Sequence, residues 1–184
     1  MELPHLLANI NQVHSYFQNE AVQQVNTALS LRNWFVGYYL YEYEQQGKDR
    51  AAYGERLYKV IAARLKQIKG LSEPRLYLCK DFYLAYPQIF LTASRKSERD
   101  ALFGQITSNL SQPILPTGLP KVKLNDADLL LSRLSFSHFI ELLKAETPLK
   151  RTFYAVESIK NNWKVEIKLP LSKSHISLSE MWLF

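Results

Sequence analysis

The amino-acid sequence predicts a mainly α-helical fold, a helical bundle with a helix-turn-helix or winged-helix-like unit and a short β segment near the C-terminus. Three observations predict it. Apolar residues recur at three- and four-residue spacing through most of the chain. Only six glycines occur in 184 residues, too few for a fold built on many tight turns. Helix punctuation falls where the periodic runs stop, at Gly70-Leu71-Ser72 and at Thr147-Pro148.

The elements follow in order. Leu6, Ile10, Val13 and Phe17 fall at helical spacing in a first helix over about 3–17. A second, over about 20–46, carries Val25, Leu29, Leu31, Trp34, Phe35, Tyr38, Tyr39 and Tyr41 around much of its surface, as a central helix does. Those rings cluster on an apolar helix instead of alternating with basic residues, so they read as core, not as a base-stacking platform. After the loop Gly47–Arg50, a third helix is predicted over 53–69, with Leu57, Val60, Ile61, Leu65 and Ile68 inward and Arg56, Lys59, Ala63 and Lys66 along another side. Gly70 is placed to end it in the left-handed conformation. Ser72 is placed to cap a fourth helix that stops before Pro87, with Glu73 and Pro74 in its first turn. Leu76, Cys79, Phe82, Tyr83 and Tyr86 face inward on it.

Residues 94–125 accumulate Ser, Asn, Pro and Gly and read as a linker or long loop. Short helices are predicted over 127–133 and 136–145, then one from Thr147-Pro148 to about Asn161 with Phe153, Val156 and Ile159 inward. Val165, Ile167 and Leu169 alternate with Lys164, Glu166 and Lys168, a strand-like pattern. The chain thus divides into an N-terminal helical unit (1–93), a linker (94–125), a C-terminal helical unit (126–163) and a tail (164–184), together forming one compact domain.

Composition narrows the function. The sequence shows neither a signal-peptide pattern nor an apolar run of about 18 residues, which points to a cytoplasmic protein outside the membrane. Cys79 is alone, and His5, His14, His138 and His175 are not at metal-ligand spacing, so no zinc site is predicted. Phosphate-binding glycine loops and HExxH are absent, and nothing marks a cofactor or a small-molecule substrate. The formal charge of +6 is concentrated: between Lys48 and Lys80 nine Lys or Arg stand against Asp49, Glu55 and Glu73. A basic segment of that kind is the footprint of a phosphate-backbone partner, though a solvated helix face has the same composition. If the helices flanking Gly70 form a helix-turn-helix, the second enters the major groove N-terminus first. The candidate DNA contacts are then Arg56, Lys59, Lys66, Lys69, Ser72, Arg75, Tyr77 and Lys80. Glu166-x-Lys168, with Asp126 or Asp128 upstream, has the form of a metal-dependent nuclease motif, but three residues of this kind recur by chance on a charged strand.

Longer motifs carry a resemblance. Leu71–Pro87, Leu134-Ser135-Phe136-Ser137-His138-Phe139, Glu146-Thr147-Pro148-Leu149-Lys150-Arg151-Thr152-Phe153-Tyr154 and Asn161-Asn162-Trp163 resemble signatures of the YhcG-like PDDEXK nuclease family. Upstream, the Trp34-to-Gln46 helix and Tyr53-Gly54-Glu55 are similar to its N-terminal region. The resemblance implies an N-terminal DNA-binding domain, with no catalytic residue of its own, that precedes a nuclease domain. Two features depart from the pattern. Glu73 and Pro74 follow Ser72 where many members are basic, and Glu73 repels a nearby phosphate. After Trp163 the family pattern is lost, as expected of a truncation or frameshift that removes the nuclease domain. The expectation is a non-catalytic DNA-binding module; the alternative is a protein-interaction module, docking to a full-length nuclease, to a restriction or defence component, or to a second copy.

Overall fold

A computed structural model describes residues 2–46, 56–90, 92–93 and 125–163. The fold is mainly α, with six helices and no strand among these residues: α1 (Leu3–Gln46), α2 (Leu57–Arg64), α3 (Glu73–Ala85), α4 (Asn125–Arg133), α5 (Phe136–Leu143) and α6 (Pro148–Lys160). The strand-like stretch at 165–169, the Gly47–Arg50 loop and all of the expected linker except Asn125 lie outside the described residues. The chain divides into two compact units, residues 1–136 and 137–184.

The first unit is organised by α1, a single helix of 44 residues where the sequence suggests two. Pro4 sits in its first turn, where the missing N–H costs nothing, and neither Gly nor Pro interrupts the predicted junction around Gln18-Asn19. Its C-terminal half packs chiefly against α3. Trp34 is fully buried there and donates from Nε1 to the carbonyl oxygen of Tyr86 at 3.0 Å, satisfying a carbonyl at the end of α3. Around it, Trp34 meets Tyr83 edge-on at 5.2 Å, and Tyr83 also meets Tyr38 and Tyr41. The two helices approach closely because Gly37 has no side chain: a Cβ there would strike the backbone carbonyl of Cys79 and lie 2.9 Å from Tyr83 Cβ.

Helix α3 follows the predicted pattern, with Leu76, Cys79, Phe82, Tyr83 and Tyr86 all buried. Ser72 stands at its N-cap in extended conformation, but its hydroxyl makes no capping hydrogen bond. Helix α2 is shorter than predicted. It ends at Arg64, and turns continue to Gly70, whose φ of +87° is the left-handed conformation expected of that glycine. Tyr58 is its buried residue, sharing a core with Leu40, Leu71 and Leu76, while Ile68 is exposed. Helix α4 joins α1 through Thr27, whose hydroxyl donates to the carbonyl of Leu131 at 2.9 Å.

In the second unit, Thr147 caps α6 as predicted, its side chain accepting from the Lys150 amide at 3.2 Å. The far end closes with Asn162 at φ +48° and a Trp163 amide that donates to Ser158 O at 3.0 Å, a Schellman-type stop. The inward face is Tyr154, Ala155 and Ser158, whereas Val156 is exposed. Large apolar groups lie on more than one side of this helix, so periodicity alone does not identify the buried side.

Candidate nucleic-acid interface

The basic segment of the sequence becomes an exposed surface on α2 and the turns that follow it. Arg56, Lys59, Arg64, Lys66 and Lys69 are all exposed, and none is paired with a carboxylate among the described residues. No acid occurs between Arg56 and Ser72, so five cations share 17 residues without an internal counter-charge. Arg56 and Lys59 follow one another at helical spacing, and Ala63 continues the same side. Arg64, in the same basic run of the sequence, is a further member of this group beyond the candidates Arg56, Lys59, Lys66 and Lys69.

The candidates on α3 have different surroundings. Arg75 is half-buried, with its guanidinium carbon 4.8 Å from the centre of the Phe136 ring. Tyr77 stacks on Tyr58 at 4.0 Å, the ring planes 13° apart. Lys80 Nζ donates to both carboxylate oxygens of Glu44, at 2.9 and 3.2 Å, and lies 5.5 Å from the Tyr58 ring. Tyr58 Oη donates to the same carboxylate at 2.6 Å. Burial and this bond to Glu44 hold the Tyr58 phenol far above its usual pKa. Ser72 is exposed at the start of α3, beside half-buried Glu73.

A further cation approaches the same turn from α1. Arg32 Nη2 lies 3.3 Å from the position a Cβ would take on Gly70, and the guanidinium donates to Asn33 Oδ1 at 3.0 and 3.2 Å. Nothing in the sequence pairs position 32 with position 70. The register of α1 against the α2–α3 turn exists only in the fold.

Other chemistry is sparse. Among the described residues no group of three or more His, Cys, Asp or Glu could hold a metal ion. His138 Nε2 lies 2.9 Å from the Trp163 carbonyl oxygen. The Cys79 thiol is buried, and desolvation pushes its pKa up to about 12, so it is not a nucleophile in the folded chain. Glu166 and Lys168 lie outside the described residues. No helix among the described residues is long and apolar enough to cross a membrane.

The pattern described as the DUF1016 N-terminal domain matches residues 9–112, more than half of the chain, a stretch that includes α1 from residue 9 onward and all of α2 and α3. The chain belongs to the DUF1016 N-terminal domain family. A relative from Escherichia coli (strain K12), named "Putative nuclease YhcG", is 28% identical over 155 residues, covering 80% of this chain. The same match covers 38% of that protein, so the chain spans well under half of its relative's length. No solved structure matches the chain. The family expected from the Leu71–Pro87 and Glu146–Tyr154 motifs is therefore the family found.

Proposed function

We propose that this DUF1016 N-terminal domain is a DNA-binding module that grips the phosphate backbone through α2 and the turns leading to α3. The observation that carries the proposal is the acid-free run from Arg56 to Ser72, with Arg56, Lys59, Arg64, Lys66 and Lys69 exposed. Exposed cations with no carboxylate partner among the described residues release phosphate counterions on binding, which drives association with nucleic acid of any sequence. Arg32, beside Gly70, adds positive charge to the same turn. Helices α2 and α3 act as the two arms of a helix-turn-helix-like unit, and Ser72 and Arg75 present the N-terminal end of α3 to the duplex. Tyr77 and Lys80 have a different task, namely to hold α2 and α1 in place through Tyr58 and Glu44. The kinship with a protein named as a nuclease supports a nucleic-acid partner.

The module does its work by binding; any cleavage belongs to a domain beyond the match. Fluorescence anisotropy with a labelled 20-base-pair duplex at low salt tests the proposal. Replacing Arg56, Lys59, Lys66 and Lys69 together by Gln is expected to weaken binding at least 100-fold on every duplex tried. Unchanged affinity would overturn it.

A further inference from the structure

The N-terminal half of α1 presents an apolar stripe with nothing packed on it among the described residues. Every residue from Glu2 to Val25 is exposed, and on one side Leu3, Leu6, Ile10, Val13, Phe17, Ala21, Val25 and Ala28 succeed one another in steps of three and four. The large members, with neighbouring Leu7, are 38–66% exposed. An isolated amphipathic helix draws its stability from burying that stripe, and here the chain's own described core does not bury it.

We propose that this arm pairs with the same arm of a second copy of the chain, forming a two-helix seam. Three observations favour a second copy as occupant. First, the steps from Leu3 to Ala28 average about 3.6 residues, the period of a straight helix, so the stripe stays on one line and suits another helix laid alongside it. A groove-binding peptide or loop would not call for such a long straight stripe.

Second, the arm is nearly free of charge. No Lys or Arg precedes Arg32, and Glu2 and Glu20 are the only acids before it. Two copies therefore meet with little like-charge repulsion, and the usual flanking charges that select a different partner are missing. The same lack of cations gives an anionic surface, whether DNA or membrane, nothing to hold.

Third, the area suffices. Leu3, Leu6, Leu7, Ile10, Val13, Phe17 and Val25 each expose on the order of 100 Å², roughly 700 Å² together, close to the about 800 Å² per partner of a stable interface. The arm, from Leu3 to Val25, is about 35 Å long, so most of it is engaged at once.

Sedimentation equilibrium on the full chain, at protein concentrations from about 1 to 200 µM, tests the pairing. The chain is expected to behave as a dimer that dissociates on dilution, and the variant Leu6→Glu/Ile10→Glu/Val13→Glu as a monomer throughout that range. All three positions are exposed, so the variant is expected to keep its melting transition and the near-ultraviolet circular dichroism of the Trp34 cluster. If that signal is lost, the milder variant Ile10→Asn/Val13→Asn repeats the measurement. A parent chain that stays monomeric at 200 µM overturns the proposal. So does a dimer that persists in a folded arm variant, because it would show that another surface carries the contact. DNA binding by the monomeric variant is expected to survive, which separates this pairing from the role of α2.

Discussion

Lys80 donates to both carboxylate oxygens of Glu44, 36 residues upstream, while Tyr58 donates to one of them. One carboxylate thus ties α1, α2 and α3 together. A lysine held in this way is neutralised locally, whereas Lys59, Lys66 and Lys69 remain exposed on the neighbouring element. Lys80→Ala is therefore expected to change duplex affinity less than two-fold. It removes the charge partner of a half-buried carboxylate and is expected to cost about 1–2 kcal/mol of stability. Urea titration and anisotropy on the same sample separate the two effects. A large loss of affinity in a stably folded variant would return Lys80 to the interface.

Gly37→Ala sets two effects against each other. In an ordinary helix interior alanine is favoured over glycine by about 0.5–1 kcal/mol. Here the added Cβ meets the backbone carbonyl of Cys79, and backbone cannot swing aside as a flexible side chain does. Parting α1 from α3 loosens the Trp34–Tyr83 packing as well. The clash wins, and a net destabilisation of about 3 kcal/mol is expected. A neutral or more stable variant in chemical denaturation would show that the approach of the two helices is looser than described.

Alkaline pH bears on the same seam. Burial raises the Cys79 thiol and the Tyr83 phenol each to about 12, and burial with the bond to Glu44 raises Tyr58 further. The folded chain keeps protons that the unfolded chain loses from about pH 9 to 10. The unfolded state then binds fewer protons, so stability falls as pH rises. Denaturant midpoints should be flat from pH 7 to 8.5 and should decline steadily towards pH 11. Cys79 should also resist thiol reagents at pH 8 until the chain unfolds. Rapid labelling of the native chain would place Cys79 outside the core.

Much of the fold was legible because local chemistry decides it. Gly70 and Pro74 mark the start of α3, its inward residues Leu76, Cys79, Phe82 and Tyr83 follow helical spacing, and Thr147-Pro148 starts α6. What the sequence left open depends on register between distant elements. Glu44 is one of many surface-type glutamates until the fold sets it beside Lys80 and Tyr58. Arg32 gains its meaning only from Gly70. The stripe from Leu3 to Phe17 shows a further limit: the same spacing marks a helix buried in its own core and a helix that waits for a partner, and exposure tells them apart. Of the candidate contacts, those on α2 and its turns could be read from charge alone, because no neighbour among the described residues pairs with them.

The central claim, that the acid-free run from Arg56 to Ser72 binds phosphate backbone, is tested most directly by the salt dependence of duplex affinity. Each phosphate neutralised contributes about −0.9 to the slope of log K against log salt. With four to five cations engaged, the slope is expected near −4, and it should fall by about 0.9 for each of Lys59→Gln and Lys66→Gln. A slope near zero, or one unchanged by both substitutions, would contradict it.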